Sequence, residues 1–143
     1  MKAERPLVDR ANIIITSCGP KERPLGYGGV QELLAEGLTL RDAKRGLVGD
    51  VSGYLLPNPS IPDAGNRIAS INSRLACPAL LDKLRACSRR AMEAGTGGTV
   101  VCAIGANKVD TILELVRLGI ATTYLIDKDL ADGITNRAGK RQA

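Results

Sequence analysis

One tight turn in this sequence has the composition of an anion-binding site. In Gly105-Ala106-Asn107-Lys108, the glycine lets the backbone come close to a ligand, and the following amides begin a helix whose N-terminus attracts anions. Lys108 places a cation in that first turn, which is unfavourable by about 0.3–1 kcal/mol unless an anion lies nearby. The turn therefore predicts an anion site, and a solvated lysine on an ordinary helix is the alternative.

Two carboxylates extend this prediction. Asp50 interrupts an otherwise apolar strand, where an isolated buried carboxylate is costly. Its partner is either a sugar hydroxyl or a donor from the protein itself, such as a backbone amide or Lys108, and the sequence does not decide between them. Asp127 follows the last strand, where it either binds ligand or caps the final helix, with the cap favoured.

The composition excludes several kinds of chemistry. The 143 residues include no histidine, which removes Ser-His-Asp and Cys-His catalysis and any imidazole-bound metal. The four cysteines contain no C-x-x-C pair, so neither a zinc site nor a disulfide framework is expected. Cys77, Cys87 and Cys102 are typical of buried apolar positions, whereas Cys18 lies at a strand end. We predict no catalytic residue, no metal and no cofactor.

Length and charge describe one small domain. With 44% hydrophobic residues, the chain can build a single core over residues 1–143. The net charge of +5 is mild, and the basic cluster Arg85–Arg90 is typical of a solvated face, so this chain alone is not expected to contact nucleic acid. No membrane helix and no leader segment is recognisable, which predicts a cytoplasmic protein without membrane contact.

The elements that must position these residues follow from hydrophobic periodicity. Ile13–Thr16 is apolar on both faces, which predicts a strand buried within a parallel sheet. Val100–Ile104 and Ala121–Ile126 are predicted strands that enclose a helix ending at Gly119, a right-handed βαβ unit. The apolar face predicted for that helix consists of Val109, Ile112, Leu113 and Val116. The fold class is therefore α/β.

The middle of the chain is less regular, and its elements are predicted from turn residues and helix caps. They are, in order, a helix over Val30–Glu36 ended by Gly37, a second helix from the N-cap Thr39 to Gly46, an interrupted strand over Leu47–Leu56, an ordered loop over Pro57–Gly65, a short strand over Arg67–Asn72, and a helix from Pro78 to about Ala94.

Ligands in open α/β sheets bind outside the carboxyl ends of the strands. This rule brings the candidate segments together at one edge of the sheet. The predicted ligand-binding residues are Ser17, Cys18, Gly19, Asp50, Gly105, Ala106, Asn107, Lys108 and Asp127.

Three motifs in this order resemble a known family. They are a strand with a Gly/Ser turn over Ala11–Gly19, a Gly-Asp strand over Gly46–Val51, and a strand-Gly-x-x-Lys unit over Val100–Lys108 followed by the strand Thr123–Lys128. Together they resemble the C-terminal effector domain of SorC-type sugar-binding transcriptional regulators, over about Asp9 to Ile134. Two positions depart from the family pattern, because Ala106 replaces a second glycine and Lys128 replaces an acid.

The resemblance implies a Rossmann-like parallel sheet flanked by helices, related to the sugar-phosphate isomerase and deaminase fold and truncated here. The chain would be a single effector-binding domain, or the C-terminal part of one. It would bind a phosphorylated sugar or similar small anionic effector through Lys108 and the Gly105 turn, with Asp50 nearby. In that family, ligand binding changes oligomeric state and the operator affinity of a helix-turn-helix domain, so DNA would be contacted only through a domain absent from this chain.

Two observations bear on assembly and on alternative functions. A half-sheet would expose apolar surface that association could cover, which predicts a homo-oligomer. The related isomerases, lactonases and deaminases carry Gly-x-Asp-Gly-His after the first strand, whereas this chain has Cys18-Gly19-Pro20-Lys21-Glu22. An enzyme that transfers protons through Asp50 is therefore the alternative to a ligand-sensing domain, and a purely structural assembly domain is a third possibility.

Overall fold

The computed structural model describes residues 7–23, 35, 37, 39–75 and 79–139. The strands are β1 (Ile13–Pro20), β2 (Leu47–Val51), β3 (Tyr54–Pro57), β4 (Gly98–Ala103) and β5 (Thr123–Ile126). The helices are α1 (Leu7–Arg10), α2 (Leu40–Gly46), α3 (Pro62–Leu75), α4 (Leu80–Ala94), α5 (Val109–Arg117) and α6 (Lys128–Gly139), and a single 3-10 turn covers Ala106–Lys108. The strands form one sheet in the order β3-β2-β1-β4-β5.

Strands β1, β4 and β5 form the parallel part of the sheet. Ile13–Ser17 lie opposite Gly98–Cys102, and Val100–Ala103 lie opposite Thr123–Ile126. Leu84 of α4 and Leu115 of α5 belong to one buried cluster with Val101 of β4, so both helices cover the same face of the sheet. This arrangement confirms the predicted α/β fold and its strand-helix-strand unit.

The opposite face of these three strands is open, with five of its residues exposed and Val100 and Cys102 half-buried. We call it the open face, and its residues are Ile13, Ile15, Ser17, Val100, Cys102, Thr123 and Leu125. Ile13 and Ile15 are 58% and 72% exposed, whereas Ile14 between them packs against the core. The prediction that this strand is buried on both faces is therefore wrong, because α4 and α5 both lie on the other side.

The segment predicted as one interrupted strand is a hairpin. β2 and β3 pair antiparallel through a two-residue turn, in which Ser52 and Gly53 have φ angles of 48° and 80°. Two consecutive positive φ angles define the turn type that suits the twist of a two-residue hairpin. β2 in turn pairs antiparallel with the end of β1, where Asp50 lies opposite Gly19.

Two further predictions in the middle of the chain are corrected. The predicted strand over Arg67–Asn72 is part of α3, where Ile68 and Ile71 are buried at the three-residue spacing of a helix. The predicted loop over Pro57–Gly65 is shorter, because β3 extends to Pro57 and α3 begins at Pro62.

The structure confirms the predicted helix caps Thr39 and Gly119. Thr39 accepts a hydrogen bond from the Asp42 backbone N–H at 3.1 Å, which confirms it as the N-cap of α2. Gly119 follows α5 and donates to the Val116 carbonyl. Ala35 is helical, and the other residues of the helix predicted over Val30–Glu36 lie outside the described residues, as do Cys77 and Pro78.

Helix α5 buries a face that is rotated from the predicted one and overlaps it. Ile112 is buried and Val109 packs against the core as predicted, whereas Val116 is 54% exposed and Leu115 is buried in its place. The rotation brings Thr111 against the hairpin, where its hydroxyl donates to the carbonyl of Val48 at 2.8 Å and lies 3.2 Å from that of Gly19. The helical period was predicted correctly, and the side-chain bonds of Thr111 fix the direction that the helix faces.

The basic cluster Arg85–Arg90 takes part in the fold. Arg85 donates from Nε to the Leu118 carbonyl, and Arg90 donates to the Ala11 carbonyl, at 2.8 and 2.9 Å. These bonds join α4 to the segments beside it. Within the described parts of the chain, no helix has the length and apolar character needed to cross a membrane.

Candidate functional site

An open cavity of about 760 Å³ lies at the carboxyl ends of β1, β4 and β5. We call it the strand-end cavity, and its lining residues are Ser17, Cys102, Ala103, Ile104, Lys108, Tyr124, Leu125, Ile126 and Asp127. Three of the residues predicted from the sequence to bind ligand, Ser17, Lys108 and Asp127, meet in this cavity. Pockets of about 300–1,000 Å³ are typical of small-molecule sites.

The Gly105 turn carries Lys108 to the cavity. Gly105 has φ of 98° and ψ of 136°, a conformation that residues with a Cβ rarely adopt, and an added Cβ would crowd the Asn107 side-chain oxygen. Lys108 then immediately precedes α5, and its N–H bonds the Gly105 carbonyl at 3.1 Å. Among the residues that the structure describes, no carboxylate lies within 4.0 Å of the Lys108 ammonium group.

Asp127 holds the turn and the last helix together. Its Oδ1 accepts one hydrogen bond from the Gly105 N–H at 3.1 Å and another from the Leu130 N–H at 3.2 Å. The second bond makes Asp127 the N-cap of α6, as the sequence favoured. The first fixes the turn from which Lys108 projects, so one carboxylate oxygen serves two elements of the cavity wall.

Asp50 reaches this edge of the sheet through the hairpin. It is buried, with 6% of its surface exposed, and its Oδ2 accepts a hydrogen bond from the Gly53 N–H at 3.3 Å. A side chain on Gly19 would overlap Asp50 Oδ1, so the two strands approach closely here. Of the alternatives that the sequence left open, the backbone amide accounts for one carboxylate oxygen. Asp50 does not line the strand-end cavity.

Cys18 is buried beside this cavity rather than in it. Burial raises the pKa of its thiol from 9.0 to about 11, with a smaller lowering by the positive charge of Lys108 and a smaller raising by the carboxylate of Asp50. Lys108 and Asp50 are therefore both close enough to Cys18 to affect the ionisation of its thiol. At neutral pH the thiol is protonated, which makes Cys18 a poor nucleophile.

The structure separates Ala106 and Asn107 from Lys108. Both line a second cavity of about 360 Å³, together with Lys21 and Arg137. Asp110 pairs with both of these cations, at 3.3 Å from Lys21 and 3.0 Å from Arg137. The turn thus contributes to two different cavities, and Lys21, Asp110 and Arg137 at the smaller one are paired with one another.

The sequence reasoning missed several residues that line the strand-end cavity. Cys102 was interpreted as a buried hydrophobe, yet it is only partly buried and lies opposite Ser17 in the register of the sheet. Strand alternation supplied a signal, because Cys102 lies two residues from Val100 on the same face. Tyr124 was also missed, and burial raises the pKa of its hydroxyl to about 12.

The described residues contain no group of three or more cysteine, aspartate or glutamate side chains placed to hold a metal ion. The polar side chains that line the strand-end cavity are those of Lys108, Asp127, Ser17, Tyr124 and Cys102. Of these, the ammonium group and the hydroxyls can bind and orient an anion.

Comparison with known proteins identifies a solved structure with a similar fold. No family model matches the sequence, and no curated protein matches it significantly. Among solved structures, the chain is similar to a transcriptional regulator from Streptococcus pneumoniae TIGR4, with a TM-score of 0.53 and 17% identity. The match covers 90% of this chain and 43% of the regulator, so the chain spans less than half the length of that protein. The α/β fold described above is thus shared with a transcriptional regulator.

Proposed function

We propose that this chain is a ligand-sensing domain of a transcriptional regulator, and that it binds a phosphorylated sugar or a similar small anion in the strand-end cavity. The observation that carries the proposal is the position of Lys108. Lys108 lines a cavity at the carboxyl ends of three parallel strands, where open α/β sheets bind their ligands.

Charge supports an anionic ligand. Lys108 and Asp127 are the two residues of opposite charge that line the cavity, and the Asp127 Oδ1 atom accepts two backbone hydrogen bonds. Lys108 also lies at the positive end of the dipole of α5, where a cation is unfavourable by about 0.3–1 kcal/mol. A phosphate group bound there would offset both the dipole and the ammonium charge.

The regulatory role rests on the structural likeness and on the sequence motifs. The similar protein is a transcriptional regulator of more than twice the matched length. The SorC-type motifs of the sequence, including Gly105 to Lys108, supply the sugar-phosphate class of ligand. DNA binding would belong to a separate helix-turn-helix domain, whose operator affinity the occupied cavity would control.

Calorimetry with sugar phosphates tests this proposal. The probes are hexose 6-phosphates, the same sugars without phosphate, and inorganic phosphate. Loss of a charge-assisted contact costs about 1.5–3 kcal/mol, so Lys108→Ala should weaken binding of the phosphorylated probes by roughly 10- to 150-fold. Lys44→Ala removes the same charge from an exposed position on α2 and should leave binding unchanged.

A second variant shows which of the two cavities binds the ligand. Asn107→Ala alters the 360 Å³ cavity and leaves the strand-end cavity intact, so it should bind like the parent chain. Equal binding by Lys108→Ala and the parent would show that the turn is wrongly assigned. Turnover of a hexose phosphate by the purified chain would replace the sensor proposal with an enzyme.

A further inference from the structure

Helix α2 presents a row of cations to solvent. Arg41, Lys44 and Arg45 follow one another at the spacing i, i+3 and i+4, which places them on one side of the helix, and all three are exposed. On helix α3, the exposed Arg67 donates a hydrogen bond to the carbonyl of Gly37, shortly before α2 begins. We call these four cations the basic face.

The fold does not neutralise the basic face. Asp42 lies among its residues, and the pKa of that carboxyl is lowered first by a hydrogen bond from the Thr39 hydroxyl and then, to a smaller extent, by the charges of Arg67 and Arg41. Both arginines are therefore close to the same carboxylate. In the described part of the chain, none of the three cations of α2 forms an ion pair, so the face keeps a positive charge.

Other basic residues of this chain are used by the fold. Arg85 and Arg90 donate hydrogen bonds to backbone carbonyls, and Lys21 and Arg137 share the carboxylate of Asp110. The side chains of the three cations of α2 make no such bond with any residue that the structure describes. Their charges are therefore available to a partner in solution.

The surroundings of the basic face favour nucleic acid over protein as that partner. Protein interfaces have a core of apolar and aromatic side chains, whereas interfaces with DNA are more polar and strongly positive. The exposed large hydrophobic side chains among the described residues all lie on elements other than α2 and α3. Ser70 lies one turn from Arg67 on the exposed side of α3, and hydroxyl groups also bind phosphate oxygens.

We propose that the basic face binds the phosphate backbone of duplex DNA without reading its sequence. The mild net charge of +5 and the Arg85–Arg90 cluster predict no contact with nucleic acid, but neither describes how the cations of α2 are distributed. Recognition of an operator sequence would remain with the helix-turn-helix domain of the proposed function. The inference thus goes beyond that function, and it does not depend on the ligand of the strand-end cavity.

Fluorescence anisotropy of a labelled duplex of about 20 base pairs tests this contact with the 143-residue chain, at salt concentrations from about 50 to 200 mM. The double variant Arg41→Gln/Lys44→Gln removes two charges and keeps a similar helix propensity. Each phosphate contact contributes about 0.9 to the slope of log K against log salt concentration. The variant should therefore reduce this slope by about 1.8 and weaken binding roughly 60-fold at about 0.1 M salt.

The matched control is Arg89→Gln/Lys128→Gln, which removes two exposed cations from α4 and α6 and gives the chain the same net charge. This control should bind DNA like the parent chain. The exchange Arg41→Lys/Lys44→Arg keeps both charges on α2 and should also bind like the parent, because the contact depends on charge. Circular dichroism should show that all variants are folded, since every substituted side chain is exposed.

Three results would overturn the proposal. The first is a parent chain that binds no duplex DNA at the lowest salt concentration. The second is an equal loss of affinity in the two charge-removing variants, which would mean that net charge alone attracts DNA. The third is tighter binding to poly-glutamate than to DNA, which would assign the basic face to an acidic protein. Binding of sugar phosphates is measured without DNA, so its failure would leave this result unchanged.

Discussion

The thiol of Cys18 lies in the core where β1 meets the hairpin and the Gly105 turn. Its pKa of about 11 is set first by burial, and the neighbouring charges of Lys108 and Asp50 act in opposite directions. A protonated thiol in this position packs as a small apolar group and can donate only a weak hydrogen bond. Cys18 is therefore suited to packing in the core rather than to covalent chemistry.

This raised pKa predicts a loss of stability in alkaline solution. The unfolded chain releases the Cys18 proton near pH 9 and the folded chain near pH 11, so the free energy of unfolding should fall as pH rises between these values. The fall is roughly 2 kcal/mol after allowance for partial screening by solvent. Urea denaturation at pH 7, 9 and 11 should show a smaller fall for Cys18→Ala, and parallel curves for the two proteins would contradict the assignment.

The residues at the cavity show what a sequence can reveal about a site. Lys108 and Asp127 were found because each follows a strand at its carboxyl end. Ala106 and Asn107 were grouped with Lys108, but the structure places them at another cavity. They belong to a 3-10 turn with three residues per turn, so consecutive side chains point in directions about 120° apart. Ala106 and Asn107 line a different cavity from Lys108 because this turn is a 3-10 helix, and the sequence does not specify that helix type.

At the scale of elements, α3 closes one edge of the sheet. The buried Asn72 side chain accepts a hydrogen bond from the Leu55 N–H at 2.8 Å and donates one to the Leu55 carbonyl at 2.9 Å. These two bonds replace those that a sixth strand would make with β3. The edge beside the hairpin is thus protected from pairing with another chain.

Substitution of this amide tests its structural role. Asn72→Ala leaves the N–H and carbonyl of Leu55 without their partner and should lower the free energy of unfolding by about 2 kcal/mol. Asn66→Ala, at an exposed position on the same helix, should change stability by less than about 0.5 kcal/mol. Urea denaturation of both variants provides the comparison, and similar stabilities would exclude the proposed role of Asn72.

The elements divide into those fixed by local signals and those fixed by tertiary contacts. The strand-helix-strand unit and the Thr39 cap were predictable, because periodicity and hydrogen-bonding side chains act within a few residues. The hairpin was predicted as one strand because Ser52 was not recognised as a turn residue with positive φ. The burial of β1 was overestimated, since no local pattern tells on which side the helices pack.

At the scale of the whole molecule, the parallel part of the sheet has α4 and α5 on one side and the open face on the other. This asymmetry predicts a dependence of thermal stability on concentration. If a second copy covers the open face, the melting temperature should rise with protein concentration, because association stabilises the folded form by mass action.

Differential scanning calorimetry of the parent and of Ile15→Glu measures this dependence. The melting temperature of the variant should be independent of concentration, because its carboxylate prevents pairing. Met92→Glu is the control and should follow the parent chain, because Met92 is 71% exposed and lies on α4 rather than on the open face. A constant melting temperature for the parent over the same concentrations would contradict association through the open face.

Ser17, Cys102 and Leu125 belong both to the open face and to the wall of the strand-end cavity. A molecule bound in the cavity and a molecule packed on the open face would therefore both contact these three residues. If the cavity binds a small anion and a second copy covers the open face, thermodynamic reciprocity requires that pairing change the affinity for the anion by the same factor by which the anion changes pairing. A cell could then read the amount of a small anion as a ratio of single to paired molecules.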